Sequence, residues 1–489
     1  MKNKFIYILS TLTLFSMLTP SCKKDLNINT NPNSAEKVDP KLLFSTAVVQ
    51  YITKRSDGDL WIPIALAGQT VASGGNTPEG LGWGSPFEEQ YIFDPLIFGN
   101  PWRYFYSTMG AGLKQAILLS ETATPANKNA AAQCKVVLAM NFFDLTTIYG
   151  DVPYSEALNV GITYPKFDSQ QQVLEGVVAI CDDALAEFDD ASPLKISDYD
   201  LFYKGDLSKW KKLARSVKLR ALMTMVDKDP SKAAAIGALI TAGDFISSSA
   251  DDALVPWSTV AGRENPKYRM ISQYYGGVNP FHASKRIVDF MNGLEDPRLP
   301  FYFDRPEGID EYIGIENGAD GDDVTFARVS LDMHRKDAPE IFFSYQEQLF
   351  FEAEIQARGL GVPVNMSEAN TLFRRAVAAS VNYWTKGEND GVAFAETLPS
   401  LTSMSSRAAV KYIHMHHWVD EMDRAIDAFT QFRRSGPEGD EVPALTKPIG
   451  AAAGGLFRRY EYPQSNEILL NPNSPKERIK YDTKMWFDL

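Results

Sequence analysis

The strongest constraint on this chain is helical spacing. Between Ser169 and Phe188, apolar Val173, Val177, Ile180, Ala184 and Phe188 fall on one face while Asp182, Asp183 and Glu187 fall on another. Ser169 and Gln172 stand at capping-box positions ahead of that stripe, so the segment predicts a surface helix with one buried face. Leu207 to Val226 repeats the pattern, with Trp210, Leu213, Ala214, Val217, Ala221 and Met225 at helical spacing and a basic remainder of Lys209, Lys211, Lys212, Arg215 and Lys218. That basic face reads as solvated rather than as a binding patch.

Further helices are predicted over Lys41–Lys54, Arg103–Ser120, Ala130–Ile148, Glu340–Arg358, Glu368–Trp384 and Ser405–Phe432. Short links between several of them suggest packed hairpins of a tetratricopeptide-like kind, although no 34-residue period repeats. Period-2 alternation is scarce, and a small sheet or hairpin is expected near Leu299–Phe303 and Val324–Val329. The expected fold is therefore mostly α, a scaffold of helical hairpins with long irregular loops and minor β content. The loops 72–101, 247–280 and 295–332 are rich in glycine and aromatics, and loops of that length tend to carry function.

The amino terminus reads as an address. Lys2 and Lys4 precede the apolar run Phe5–Leu18, which suits a signal peptide and is short for a membrane span. The sequence then reaches Ser21–Cys22, a small residue before a cysteine, the arrangement that a lipoprotein signal peptidase uses. Thr19 and Pro20 depart from the usual lipobox, and the alternative is simple secretory cleavage near by. The expected organisation is a signal peptide over 1–21, a polar, Asn-rich lipid-anchored tether over 22–34 and a single helical domain over 35–489.

Charge narrows the partners. The formal net charge is −13, and losing residues 1–21 with Lys2 and Lys4 takes it to −15. A polyanion such as nucleic acid would be repelled, whereas a neutral sugar, a peptide or a cation would not. Of the three cysteines, Cys134 and Cys181 remain after Cys22; they can form one disulfide in an oxidising compartment or stay as buried thiols on their apolar helices.

No spacing in the sequence identifies an enzyme: GxSxG, HExxH, GxxxxGK(S/T), strand-borne GxGxxG and CxxC are all missing. Two carboxylates across a cleft would still suffice for a glycosidase. His414, His416 and His417 with Asp420 and Glu421 invite a metal reading, but adjacent helical histidines diverge by about 100°, and Trp418 points to a segment that packs inward. Asp57, Asp59, Asp320, Asp322 and Asp323 lack the spacing of a calcium loop and read as turn residues. The expectation is no catalytic residue, no metal and no cofactor.

Several segments, in order along nearly the whole chain, resemble the SusD/RagB family. They are Asn31–Asn33 after the lipid cysteine, Gly150–Ala157 (GDVPYSEA), Trp210–Met223, Asp296–Leu299 (DPRL), Tyr345–Gly359 (YQEQLFFEAEIQARG), Phe432–Pro437 (FRRSGP) and Arg458–Asn471. Most of these read as structural: Gly150 suits a helix C-cap, Pro153 ends the helix, and Glu354 reads as a paired buried acid. The resemblance implies a helical scaffold with a loop-built face that binds glycan or peptide without turnover, capping a SusC-like TonB-dependent transporter at the outer membrane. It thus implies a cell-surface lipoprotein, with a peptide-binding RagB-type subunit or a surface glycoside hydrolase as alternatives. Starch itself is not implied, because length and loop content differ from the namesake.

Sugar rings present apolar C–H faces that stack on exposed Trp and Tyr, with amide and guanidinium groups taking the hydroxyls. Two loops carry that chemistry: Asn76, Trp83 and Tyr91, and Trp257, Arg263, Asn265, Tyr268, Tyr274 and Tyr275. The competing role for each ring is to plug its loop onto the core. Trp102, Trp210, Trp384 and Trp418 fall on helices and are assigned to packing.

Overall fold

Capping chemistry sets the helix boundaries. In a computed structural model that describes residues 38–56, 58–75, 86–322 and 324–489, Ser169 and Gln172 form the reciprocal capping box ahead of Gln170–Glu187. Asp206 accepts from the backbone N–H of Ser208 and Lys209 and opens Leu207–Met225. Gly359, in the left-handed region at φ +73°, ends Tyr345–Arg358.

The helices pack as successive hairpins. Ala111–Glu121 lies on Lys128–Tyr149, which lies on Gln170–Glu187, and that in turn packs on Leu207–Met225. Farther along, Tyr345–Arg358 packs on Met366–Trp384 and on Ser406–Asp420. Lys128–Tyr149 is buried along almost its whole length and forms the spine of the Pro40–Leu489 unit, so its polar residues must find partners inside. Asp144 does so by accepting from Tyr51 Oη at 2.6 Å and Arg55 Nη1 at 3.1 Å. The fold is mostly α, a tetratricopeptide-like arrangement of helical hairpins with long loops and little strand.

Several boundaries differ from expectation for physical reasons. The expected helix from Glu340 begins as a strand, Glu340–Phe343, which pairs antiparallel with Ala253–Val255 before Ser344 caps the helix proper. The expected Ser405–Phe432 helix is two, Ser406–Asp420 and Ala425–Arg434, broken where the carbonyl of Asp423 turns to accept from Trp61 Nε1 at 2.8 Å. The Arg103–Ser120 stretch divides into the end of Pro95–Arg103, a π-helical Tyr104–Gly110 and Ala111–Glu121. The strand expected at Leu299 starts as a helical turn, yet Phe303 does pair with Val329. Cys134 and Cys181 are buried and free.

The basic face of Leu207–Met225 is solvated and paired, with Lys211 on Asp190 at 2.6 Å and Lys212 on Asp251 at 2.8 Å. Two sequence motifs meet at the end of the spine helix. Gly150 has φ +84°, and a Cβ there would lie 2.8 Å from Arg459 Nη1, so only glycine lets Arg459 reach the carbonyl of Tyr149. Tyr460 N then donates to Ile148 O at 2.9 Å.

Candidate functional site

A small antiparallel sheet gathers the long loops. Its order is Val71–Ala72, His282–Ala283, Arg328–Val329, Phe303–Asp304, with Ala72 opposite His282 and His282 opposite Arg328. The two-residue strands give little stability by themselves; they act as a register that holds three loops side by side. Gly74 and Gly75 follow the first strand in left-handed conformations, and Gly321 N donates to Gly74 O at 2.9 Å. The approach is close: a Cβ on Gly75 would lie 2.6 Å from Asp320 Oδ1.

Beneath this edge lies a polar hub that sequence reasoning did not single out. The buried carboxylate of Glu89 accepts from Ser73 Oγ at 2.5 Å, Ser73 N at 3.3 Å and Asn317 Nδ2 at 2.7 Å. Asn317 also donates to Val71 O at 2.8 Å and accepts from Ser284 Oγ at 2.8 Å. Burial lifts the Glu89 carboxyl above its usual range, against the donors that hold it. Glu88–Glu89 directly follow the glycine-rich loop, which was the one available signal.

The expected ligand-binding residues divide into separate groups. Asn76 and Trp83, with Cys22 and the tether, lie outside the described residues. Tyr274, 37% exposed, and half-buried Tyr275 lie at the C-terminal end of Pro266–Tyr274; Tyr275 meets the edge of Phe281 at 6.5 Å. Burial, with the charge of Glu88, raises the Tyr275 phenol above its ordinary range.

Tyr268 lies roughly 9 Å back along the same helix axis, at its other end. It is half-buried beneath Lys336, whose Nζ is 5.4 Å from the ring centroid. Arg263 is exposed in the Ser258–Arg263 turn, and half-buried Trp257 packs against the core with no acceptor for its indole N–H. The helix therefore separates Tyr274 and Tyr275 from Tyr268 and the turn that precedes it.

Two expected contacts are corrected. Tyr91 is only 3% exposed, wedged between Phe457 and Tyr481 at ring distances of 6.1 and 5.5 Å, so it plugs its loop instead of offering a face. Asn265 is 1% exposed and is the N-cap of Pro266–Tyr274, with its side-chain amide donating to Ala338 O and Glu340 Oε1, both at 2.9 Å.

The histidine cluster packs inward, as its neighbouring Trp418 suggested. His416 is wholly buried among the rings of Phe290, Phe373 and Tyr412. His417, Glu421 and Glu347 bring ligand-type atoms within 4.8 Å of one another. A cation fits poorly there, because Arg220 Nε donates to one Glu347 oxygen at 2.8 Å and Arg424 Nη1 to the other at 2.6 Å. Two guanidinium groups already neutralise the acid, and burial pushes His417 down to about 3. No helix among the described residues is long and apolar enough to cross a membrane.

Comparison with known proteins agrees with this architecture. Of solved structures, a chitin-binding protein superposes with a TM-score of 0.74 at 20% identity, covering 92% of this chain and 100% of that one. A SusD homologue from Parabacteroides distasonis gives 0.72 at 20% identity, over 92% and 97% of the two chains. A chitin-binding SusD homologue from Flavobacterium johnsoniae gives 0.72 at 17% identity with the same coverage. At these identities the likeness establishes the fold. No curated protein matches the sequence. The SusD-like family described as "Starch-binding associating with outer membrane" matches residues 85–463, and the chain belongs to it.

Proposed function

We propose that this chain is a cell-surface, lipid-anchored binding protein that captures an oligosaccharide and passes it unaltered to a SusC-like TonB-dependent transporter. The observation that carries the reading is the Tyr274–Tyr275 ring edge, on a chain whose family is described as starch-binding. Stacking on such rings, with amide and guanidinium groups for hydroxyls, holds a sugar without chemistry. Two solved structures of the same fold are named as chitin-binding proteins, which favours a glycan over a peptide. A net charge of −13 also suits a neutral ligand. Asn76, Trp83, Trp257, Arg263 and Tyr268 are the further ligand contacts of this reading, and lipidated Cys22 would tether the protein to the outer membrane.

The test is titration of the full chain with chitotetraose and maltoheptaose, together with a reducing-end assay on the same mixtures. Binding without new reducing ends, weakened about tenfold or more by Trp83→Ala and Tyr274→Ala, is the expected result. New reducing ends would make the protein a hydrolase. Binding of a peptide panel in place of either sugar would assign it to the peptide-binding branch.

A further inference from the structure

A cleft of about 580 Å³ is lined by none of the residues of the Tyr274 edge. It opens between the loop after Pro153 and the segment Asn466–Asn471, over a floor made by Trp102 and Tyr106. We propose that it is a second carbohydrate site, which takes an uncharged pyranose unit of the same glycan; the proposal rests on the glycan-binding reading above.

The walls supply the rings. Phe167 lines the cleft half-buried, stacked on Trp102 at 6.1 Å with 20° between planes and meeting Tyr462 edge-on at 5.6 Å. Tyr164 stands on the lip, 46% exposed. Tyr106 is held in place by donating its hydroxyl to Pro153 O at 2.7 Å. Three separate segments therefore converge on one apolar, ring-lined space of the size that small ligands occupy.

Polar groups at the rim set the ligand's charge. Arg103 and Glu467 are the charged residues that line the cleft, one of each sign, and exposed Ser107, Thr163 and Asn466 provide neutral hydrogen-bonding groups, while the buried Asn471 amide is taken up by Pro165 O and Asn473 N. Equal and opposite charges with amides suit hydroxyls better than they suit an ion.

Backbone irregularity concentrates at the same place. The floor includes the π-helical Tyr104–Gly110, a form usually met as a single-turn bulge and often at functional sites. On the lip, Leu158 holds φ +60°, where a branched side chain is strained. The two features interlock, because a Cβ on Gly110 would lie 3.1 Å from Leu158 Cδ1. Both line the cleft, Tyr106 and Ser107 from the π-helical turn and Leu158 from the lip.

The experiment is calorimetric titration of the full chain and of Tyr164→Ala, Asn466→Ala and Tyr274→Ala with chitotetraose and with maltoheptaose. Tyr164 and Asn466 are exposed, so their truncation leaves the fold intact. Two sites are expected for the bound sugar, one weakened about tenfold or more by Tyr164→Ala and by Asn466→Ala, the other weakened by Tyr274→Ala alone. A single site lost in Tyr274→Ala and unchanged in Tyr164→Ala and Asn466→Ala overturns the second site and leaves the glycan reading standing. Binding of neither sugar by the unsubstituted chain overturns both.

Discussion

Glu354 and Arg434, from two separate sequence motifs, form a fully buried pair: Arg434 Nη1 donates to Glu354 Oε1 at 3.2 Å, and Nη2 bonds the other oxygen. Arg358 adds a contact at 2.7 Å and His414 one at 3.0 Å. Burial alone would raise the carboxyl, but the charge of Arg434, with the His414 contact and Arg358, outweighs it and holds the group well below its usual range. Removing one partner of a buried pair leaves a desolvated charge exposed to an apolar surround. Arg434→Met should therefore cost about 3 kcal/mol in urea unfolding at neutral pH. Because the folded value is depressed, the pair's contribution is present above the ordinary carboxylate range and is lost as pH falls through the folded value. The difference between wild type and Arg434→Met should shrink in acid; a constant difference would show that Glu354 is not the group responsible.

Glu421 behaves in the opposite sense. Burial pushes its carboxyl up to about 8 against the pull of Arg424, so the acid is largely protonated at neutral pH. A raised carboxyl favours the folded state below the unfolded value near 4.3 and loses that contribution as pH rises toward 8, by at most about 1.4 kcal/mol per unit. Glu421→Gln should flatten the fall in unfolding free energy between about pH 5 and pH 8. Equal slopes for the two proteins would disprove the assignment.

The same geometry argues against a metal in this cluster. With Arg220 and Arg424 on Glu347, and with His417 5.0 Å from the Phe350 ring and 5.2 Å from Phe351, an ion would have to displace two guanidinium groups. Thermal melts with and without excess zinc should superimpose. A zinc-dependent rise in Tm that is absent in His417→Ala would reverse this conclusion.

Cys134 and Cys181 are wholly buried, and burial raises both thiols far above neutrality, which leaves them with almost no thiolate. In a chain carrying Cys22→Ser, neither should react with a thiol reagent until denaturant is added, and both should then react. Reaction of either in the native protein, or failure of both after unfolding, would contradict this arrangement.

The helical scaffold was legible because helices announce themselves locally. Ser169 and Gln172 mark a start by their own hydrogen bonds, and the stripe behind them is nearly the buried face observed. The strand Glu340–Phe343 was missed because a short apolar run reads equally as strand or helix. The sequence did contain the boundary, since Ser344 and Glu347 have capping-box spacing and Ser344 is the N-cap. Asn265 carried a similar signal: Asn before Pro266 is the signature of a cap and first helical position, and it outweighed the ligand reading. The break at Asp423 had no glycine or proline to reveal it, because it depends on Trp61, far away in sequence. The Glu89 hub was likewise hidden, since its partners Ser73 and Asn317 come together only through the sheet.

Gly74 offers the sharpest check on how that sheet edge is built. Its φ is +62°, and a Cβ there would lie 2.2 Å from His282 Nδ1, inside the strand that pairs with Val71–Ala72. Gly276, at φ +64°, has nothing within 4 Å of the same added atom. The two therefore share backbone strain and differ in collision. Alanine at a left-handed position costs roughly 1 kcal/mol from strain alone, so Gly276→Ala should lower stability by about that amount. Gly74→Ala must also displace the His282 ring and disturb the register at Ala72, which should bring its cost to about 3 kcal/mol. Denaturant midpoints measured side by side decide the matter. Equal losses would mean that the Gly74 edge gives way freely, and that the sheet does not fix the loop entering the candidate ligand face.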